Sequence, residues 1–106
     1  MAMKGMRDAV GAIVRAMDEH RKIAVYGDYD ADGVCATGVL MEFFRDSGIP
    51  AVHHIPHRIT EGYGFHPAAF ENGSVPRDVG LIVTVDCGIS SHEAVAFARR
   101  RGIDVI

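Results

Sequence analysis

The sequence predicts an α/β fold, a parallel sheet with flanking helices, and three observations carry that prediction. From Lys22 onward, apolar and β-branched runs alternate with stretches of helical period, in the order strand, helix, strand, loop, strand, helix, strand. The runs Ile23 to Tyr26 and Leu81 to Val85 are apolar enough to be covered on both faces, as parallel strands are. Both empty into aspartates, Asp28 and Asp86, and open α/β sheets bind ligands beyond the carboxyl ends of their strands.

The chain opens with an amphipathic helix over residues 3–20. Met3, Met6, Val10, Ile13, Val14 and Met17 recur at spacings of three and four, and His20, Arg21 and Lys22 place cations where the helix dipole ends negative. This face is expected to pack, since methionine fills irregular cores more often than it binds partners. Lys22 to Tyr26 is the first strand, after which Gly27 lets the backbone turn. Val34, Val39, Leu40, Phe43 and Phe44 give a second helical stripe, closed by Asp46, Ser47 and Gly48 before Pro50.

Ala51 to Arg58 reads as the second strand, and Pro56 predicts that it ends near there or lies at a sheet edge. Alternation splits His53 and His57 from His54, so these three histidines read as ordinary surface or core residues before they read as metal ligands. Thr60 to Phe65 combines two glycines with aromatics, the mark of an ordered loop. A short helix follows from His66 to Phe70, ended by Glu71 to Ser74, and Leu81 to Val85 is the third strand. Ser90 and Glu93 fit a capping box opening a helix to Arg101, and Ile103 begins a further strand. Arg99, Arg100 and Arg101 read as a solvated helix end that complements the dipole.

Composition narrows the function. The chain has 106 residues and a net charge of −3, so it forms one small domain or part of one and lacks the basic footprint that grips nucleic acid unaided. No repeat, low-complexity segment or linker interrupts it. Two cysteines without a C-x-x-C pairing, no secretory h-region and no apolar run near ~18 residues predict a reduced, cytoplasmic protein with no membrane role. Cys35 and Cys87 are both expected to be buried and inert.

The chemistry centres on Asp28, Asp30 and Asp32, three carboxylates at alternate positions. Their repulsion needs compensation by water, a hydrogen-bond donor or a cation, with a divalent metal the natural one, and without it at least one of the three should have a raised pKa. Joined by Asp86 at one crevice, they could assemble a two-metal site that activates water and stabilises a displaced phosphate oxygen. An EF-hand loop is excluded, because its twelfth position would be Val39 in place of a bidentate Glu. Asp30 to Val34 also resembles the nucleophile motif of haloacid-dehalogenase-type phosphatases, but Gly27, Asp28 and Tyr29 separate that Asp from the strand end. A solvated helix cap explains one of the aspartates well and three poorly.

Y-G-D-Y-D-A-D-G-V-C-A-T from Tyr26, H-R-I-T-E-G-Y-G from His57 and V-T-V-D-C-G-I from Val83, in this order, resemble the first three motifs of the DHH phosphoesterase superfamily. Within it they are most similar to the RecJ branch of single-strand-specific 5′-to-3′ DNA exonucleases, which serve repair and recombination. The resemblance spans Ile23 to Ile106. It implies that Asp30 and Asp32 each hold one of two Mn²⁺ or Mg²⁺ ions, that Asp86 bridges them, and that Asp28 is a further ligand or orients the attacking water.

It also implies that Arg58 meets a phosphate of the strand, a sound pairing for a guanidinium fork, with Glu61, Gly62, Tyr63 and Gly64 shaping the loop beside it. Tyr63 and Phe65 either stack a base, worth ~1–3 kcal/mol, or pack beneath the loop. The family's Asp-His-His motif would follow the strand begun at Ile103. Residues 1–106 are accordingly expected to be the N-terminal part of a DHH phosphoesterase domain, holding about half of an active site and inactive alone. Single-stranded DNA is the implied substrate, reached through metal and further domains, with a helicase and a single-strand-binding protein as implied partners of the parent. Two other readings stay open: a DHH-type phosphodiesterase for cyclic dinucleotides or short oligonucleotides, and a non-catalytic binding module.

Overall fold

The computed structural model describes residues 3–106. Helix α1 (Met6–Asp18) leads into β1 (Lys22–Tyr26), α2 (Ala31–Asp46), β2 (Ala51–His54), α3 (Ala68–Glu71), β3 (Val79–Thr84), α4 (His92–Arg100) and β4 (Asp104–Val105). The four strands form one sheet in the order β2-β1-β3-β4, and every pairing is parallel. The predicted class is the observed one.

Alternation along the central strands divides the core in two. Ile23 and Val25 point to one face with Leu81 and Val83, where Ala12, Ala16 and Phe44 of α1 and α2 cover them. Ala24, Tyr26 and Ile82 point to the other, beneath Phe65, Phe70, Ala94 and Ala98 of the β2–α3 loop, α3 and α4. Each large buried aliphatic in this sandwich contributes ~1.5–3 kcal/mol of transfer free energy, so the sheet centre is the stable part of the molecule. From β1 the chain moves to one edge through α2, and from β3 to the other edge through α4. Keeping one crossover hand puts these helices on opposite faces and leaves the switch point between the carboxyl ends of β1 and β3.

Several sequence expectations change. The first helix runs Met6–Asp18 in place of 3–20, and its buried residues are Ala12 and Ala16, because small side chains let the helix lie close on the sheet. Its expected core face is largely turned out: Met3, Met6, Val10, Val14 and Met17 are 43 to 70 % exposed. Val34, Val39 and Phe43 of α2 are exposed as well, while Phe44 is fully buried. The second strand stops at His54, short of Arg58, since Pro56 cannot donate to a ladder, and β2 is an edge as Pro56 suggested. The capping box is not formed: Ser91 occupies the cap of α4 without a side-chain bond. Cys35 lies exposed on α2, contrary to expectation, and Cys87 is half-buried. Arg100 and Arg101 do not merely sit in solvent; their guanidinium carbons lie 5.7 and 4.6 Å from the centre of the Phe97 ring. Among the described residues no helix is long and apolar enough to cross a membrane.

Candidate metal centre

At the switch point, strand register sets the height of the acidic groups. Tyr26 pairs with Thr84, so Asp28 and Asp86 each stand two residues beyond the last matched pair of adjacent strands. Carboxylate oxygens of Asp28, Asp30 and Asp86 lie within 4.8 Å of one another. Asp32 falls in the first turn of α2, exposed, and outside that trio.

Each carboxylate is held by its own piece of backbone. Asp28 is only 4 % exposed and accepts the N–H of Tyr29 at 2.8 Å. Asp30 is the N-cap of α2, its Oδ1 accepting the Gly33 N–H at 2.9 Å, so the capping and metal readings fall on one residue together. Gly33 is there for close approach, because a Cβ at that position would land on the backbone of Asp28. A Cβ on Gly27 would likewise collide with the Thr37 hydroxyl, which donates to the Gly33 carbonyl at 2.8 Å and ties α2 to the loop. Thr37 is buried and was not singled out from sequence; its spacing of four from Gly33 was the available signal. Asp86 adopts the left-handed region at φ 57°, a conformation that short polar side chains tolerate better than other non-glycine residues.

The charges respond to this crowding unequally. The Gly33 N–H, with hydrogen bonds from Asp86 and Asp28, holds Asp30 below the usual carboxylate range. Hydrogen bonding with Asp30, assisted by desolvation and by the charges of Asp30, Asp32 and Asp28, pushes Asp86 up. Asp86, from the far strand, is thus a raised carboxyl, while Asp30, one of the three among which a raised group was expected, moves the opposite way. Among the described residues none of Asp28, Asp30 and Asp86 forms an ion pair with Lys, Arg or His. An all-oxygen donor set with uncompensated charge fits a hard divalent cation.

The β2–α3 loop flanks this centre. The Arg58 guanidinium carbon lies 5.8 Å from the centre of the Tyr29 ring, beside Asp28. Tyr63 is 57 % exposed, and its hydroxyl donates to the Asp86 carbonyl at 3.4 Å. Phe65, by contrast, is 1 % exposed and packs 4.9 Å from the Tyr26 ring, so of the two aromatics it is the packing residue. Gly64 takes φ 96°, which lets the chain pass from one to the other. Glu61 turns away from the metal centre and bonds His54 Nε2 at 2.7 Å, while His53 and His57 are exposed and outside the acidic trio. Burial raises the Tyr26 hydroxyl to about 12 and the Cys87 thiol, which lies 3.6 Å from the Tyr26 carbonyl, to about 11.

The chain is similar to known proteins over nearly its whole length. Residues 22–106 match the DHH family, N-terminal domain. The chain is 40% identical over 104 residues to the single-stranded-DNA-specific exonuclease RecJ of Bacillus subtilis, covering 98% of this chain and 13% of that protein. It is 35% identical over 106 residues to the RecJ of Thermus thermophilus, covering 100% of this chain and 16% of that one. Among solved structures, an exonuclease RecJ bound to manganese superposes with a TM-score of 0.87 at 33% identity, over 99% of this chain and 27% of that one. The RecJ of Thermus thermophilus in complex with Mn²⁺ gives 0.79 at 28% identity, over 99% and 14%. The chain thus spans about a seventh of the curated relatives it matches. With its three carboxylates gathered at the switch point of a sheet that these structures share, the chain belongs to the DHH family, whose N-terminal domain it carries over residues 22–106.

Proposed function

We propose that this chain supplies the acidic part of the metal centre of a phosphodiesterase that removes nucleotides from single-stranded DNA in the 5′-to-3′ direction. The observation that carries the reading is the convergence of Asp28, Asp30 and Asp86 from the ends of two adjacent parallel strands. RecJ relatives named as single-stranded-DNA-specific exonucleases, and RecJ structures holding manganese, support the substrate and the metal.

Asp28, Asp30 and Asp86 are the residues that would hold divalent metal, with Asp32 the nearby carboxylate for a second ion. Two bound Mn²⁺ or Mg²⁺ ions would activate a water nucleophile and stabilise the charge growing on the displaced oxygen. The chain's own contribution is positional. Asp30 is fixed by its cap, Asp28 by burial and the Tyr29 N–H, and Asp86 by its left-handed backbone. Arg58, seated on Tyr29, presents its N–H edge to a phosphate of the strand. Tyr63 offers an exposed ring for a sugar or base, with Gly64 setting its loop. A net charge of −3 repels a polyanion, so cations and further chain must bring the strand in. A helicase and a single-strand-binding protein are the partners that would prepare such strands for the whole protein during repair.

The test is to incubate 5′-phosphorylated single-stranded DNA and Mn²⁺ with the 106 residues or with a protein extended to the length of the relatives. Mononucleotides should be released by the longer chain only, should vanish on Asp30→Ala or Asp86→Ala, and duplex DNA should be spared. Release from cyclic dinucleotides in preference to DNA would reassign the substrate, and a longer chain that binds metal without cleaving anything would mark a non-catalytic module.

A further inference from the structure

We propose that His54 and Glu61 are a positioning pair that holds the β2–α3 loop across the metal centre, so that Arg58 and Tyr63 meet the substrate strand from fixed places. The inference rests on the phosphodiesterase reading above and assigns it two residues that contact neither metal nor substrate.

The pair stands where the loop is tied by side chains to the sheet. His54 is the last residue of β2, level with Tyr26 of β1 and Thr84 of β3. Its ring packs 5.4 Å from that of Tyr26, whose other neighbour is Phe65, so the imidazole has little freedom to turn. Nε2 meets Glu61 Oε2 at 2.7 Å with both side chains about three-quarters buried. Among the described residues this is the only side-chain hydrogen bond joining residues 57–64 to a strand. Hydrogen bonding from His54 also keeps the Glu61 carboxyl below its usual range.

What the loop does on either side of Glu61 gives the pair its purpose. On the near side, the Glu61 N–H donates to the His57 carbonyl at 2.8 Å, and His57 Nδ1 accepts from the Ile59 and Thr60 N–H groups at 3.3 and 3.4 Å. That closed turn carries Arg58 to the Tyr29 ring, next to Asp28. On the far side, Gly62 at φ 73° redirects the chain and Tyr63 reaches the carbonyl of Asp86. One arm therefore ends on the acidic loop after β1 and the other on the loop after β3, with the pair at the midpoint. A purely stabilising role would show in the melting midpoint and leave the affinity of the folded protein for its substrate unchanged.

The experiment uses the full-length protein and four variants: Glu61→Ala, Glu61→Gln, His54→Ala and His54→Gln. Glu61→Gln retains a carbonyl to accept from Nε2–H and should behave as wild type. Glu61→Ala and His54→Ala should raise KM for a 5′-phosphorylated single strand about tenfold, with kcat within about twofold and Mn²⁺ affinity unchanged. His54→Gln should lie between. A KM equal to wild type in Glu61→Ala, a loss of Mn²⁺ affinity in step with KM, or equal failure of Glu61→Gln and Glu61→Ala would each overturn the pair. If His54→Ala does not fold, as judged by melting, the comparison of the two Glu61 variants decides alone. A wild type inactive on every single strand overturns the function instead. Amide exchange then judges the pair: residues 58–64 should exchange faster in Glu61→Ala than in Glu61→Gln, and equal rates would sink it.

Discussion

Asp30 and Asp86 face each other from the ends of different strands and are driven to opposite protonation, Asp30 toward the carboxylate and Asp86 toward the acid. The asymmetry comes from the backbone. Asp30 has the Gly33 N–H to stabilise its charge, whereas Asp86 has no such backbone donor among the described residues and receives the charge of its neighbours. In the metal-free centre the two carboxyls are thus unequal in acidity, with Asp28 nearly enclosed beside them.

Metal binding should release a proton wherever Asp86 is still protonated. A divalent ion needs Asp86 ionised, so affinity for Mn²⁺ should climb with pH until Asp86 has titrated, then level off. Calorimetry in two buffers of different ionisation enthalpy should detect proton release at the acid end of that range and little above it. Asp86→Asn should weaken Mn²⁺ by more than the ~10–100-fold that loss of an outer-shell partner costs. Affinity independent of pH, or intact in Asp86→Asn, would remove Asp86 from the site.

Without metal, stability should respond to the same two groups with opposite signs. Asp86 titrates above its ordinary 3.8 when folded, so its contribution is full below that value and declines as pH rises through the raised pKa. Asp30 titrates below 3.8, so its contribution is present above that value and is lost as pH falls through the lowered one. Asp86→Asn, whose amide suits the left-handed backbone, should therefore raise the melting midpoint of the metal-free protein at about pH 7. Asp30→Ala, which strips the cap from α2, should lower it. The reverse ordering of the two midpoints would contradict this account.

Gly33→Ala should damage the centre without touching a carboxylate. Its methyl group would occupy the space of the Asp28 backbone, and overpacking of this kind costs typically ~1–3 kcal/mol. Denaturant unfolding should show that loss, and Mn²⁺ affinity should fall with it because Asp28 must move. Gly38→Ala on the same helix meets nothing within 4 Å and serves as the control. Equal behaviour of the two variants would show that the approach of α2 to the loop is not tight.

The two thiols should separate cleanly in a labelling experiment. Cys87 has its thiol pushed to about 11 by burial and by the charge of Asp28, which leaves about one part in ten thousand as thiolate near neutral pH. Cys35 is exposed. An aromatic disulfide reagent should modify one thiol quickly and the other slowly, and Cys35→Ser should abolish the fast phase.

The sheet was readable because Ile23 to Tyr26 and Leu81 to Val83 are apolar on both faces, which only a central strand needs. Asp28, Asp30 and Asp86 were readable as a group because each follows such a strand. Less was legible where tertiary contact chooses between equivalent patterns. The periodicity of α1 shows that a stripe exists but cannot say that Ala12 and Ala16, by their small size, win the place against the sheet. His54 ends a strand and Glu61 lies seven residues on in a loop without period, so no spacing rule links them. The left-handed turn at Asp86 also left no trace, since the residue signals that conformation only weakly and no glycine stands there.

A sheet built only from parallel ladders contains no hairpin, so each of its pairings waits for an intervening crossover to close. The joint between β1 and β3 is the most demanding of these, because β2 and α3 must be threaded between them in sequence before Tyr26 can meet Thr84. Asp28 and Asp86 remain strangers until that joint is zipped. A cation that needs both carboxylates should therefore act on the finished fold as a lock, slowing the escape from the native state while leaving the rate of arrival unchanged.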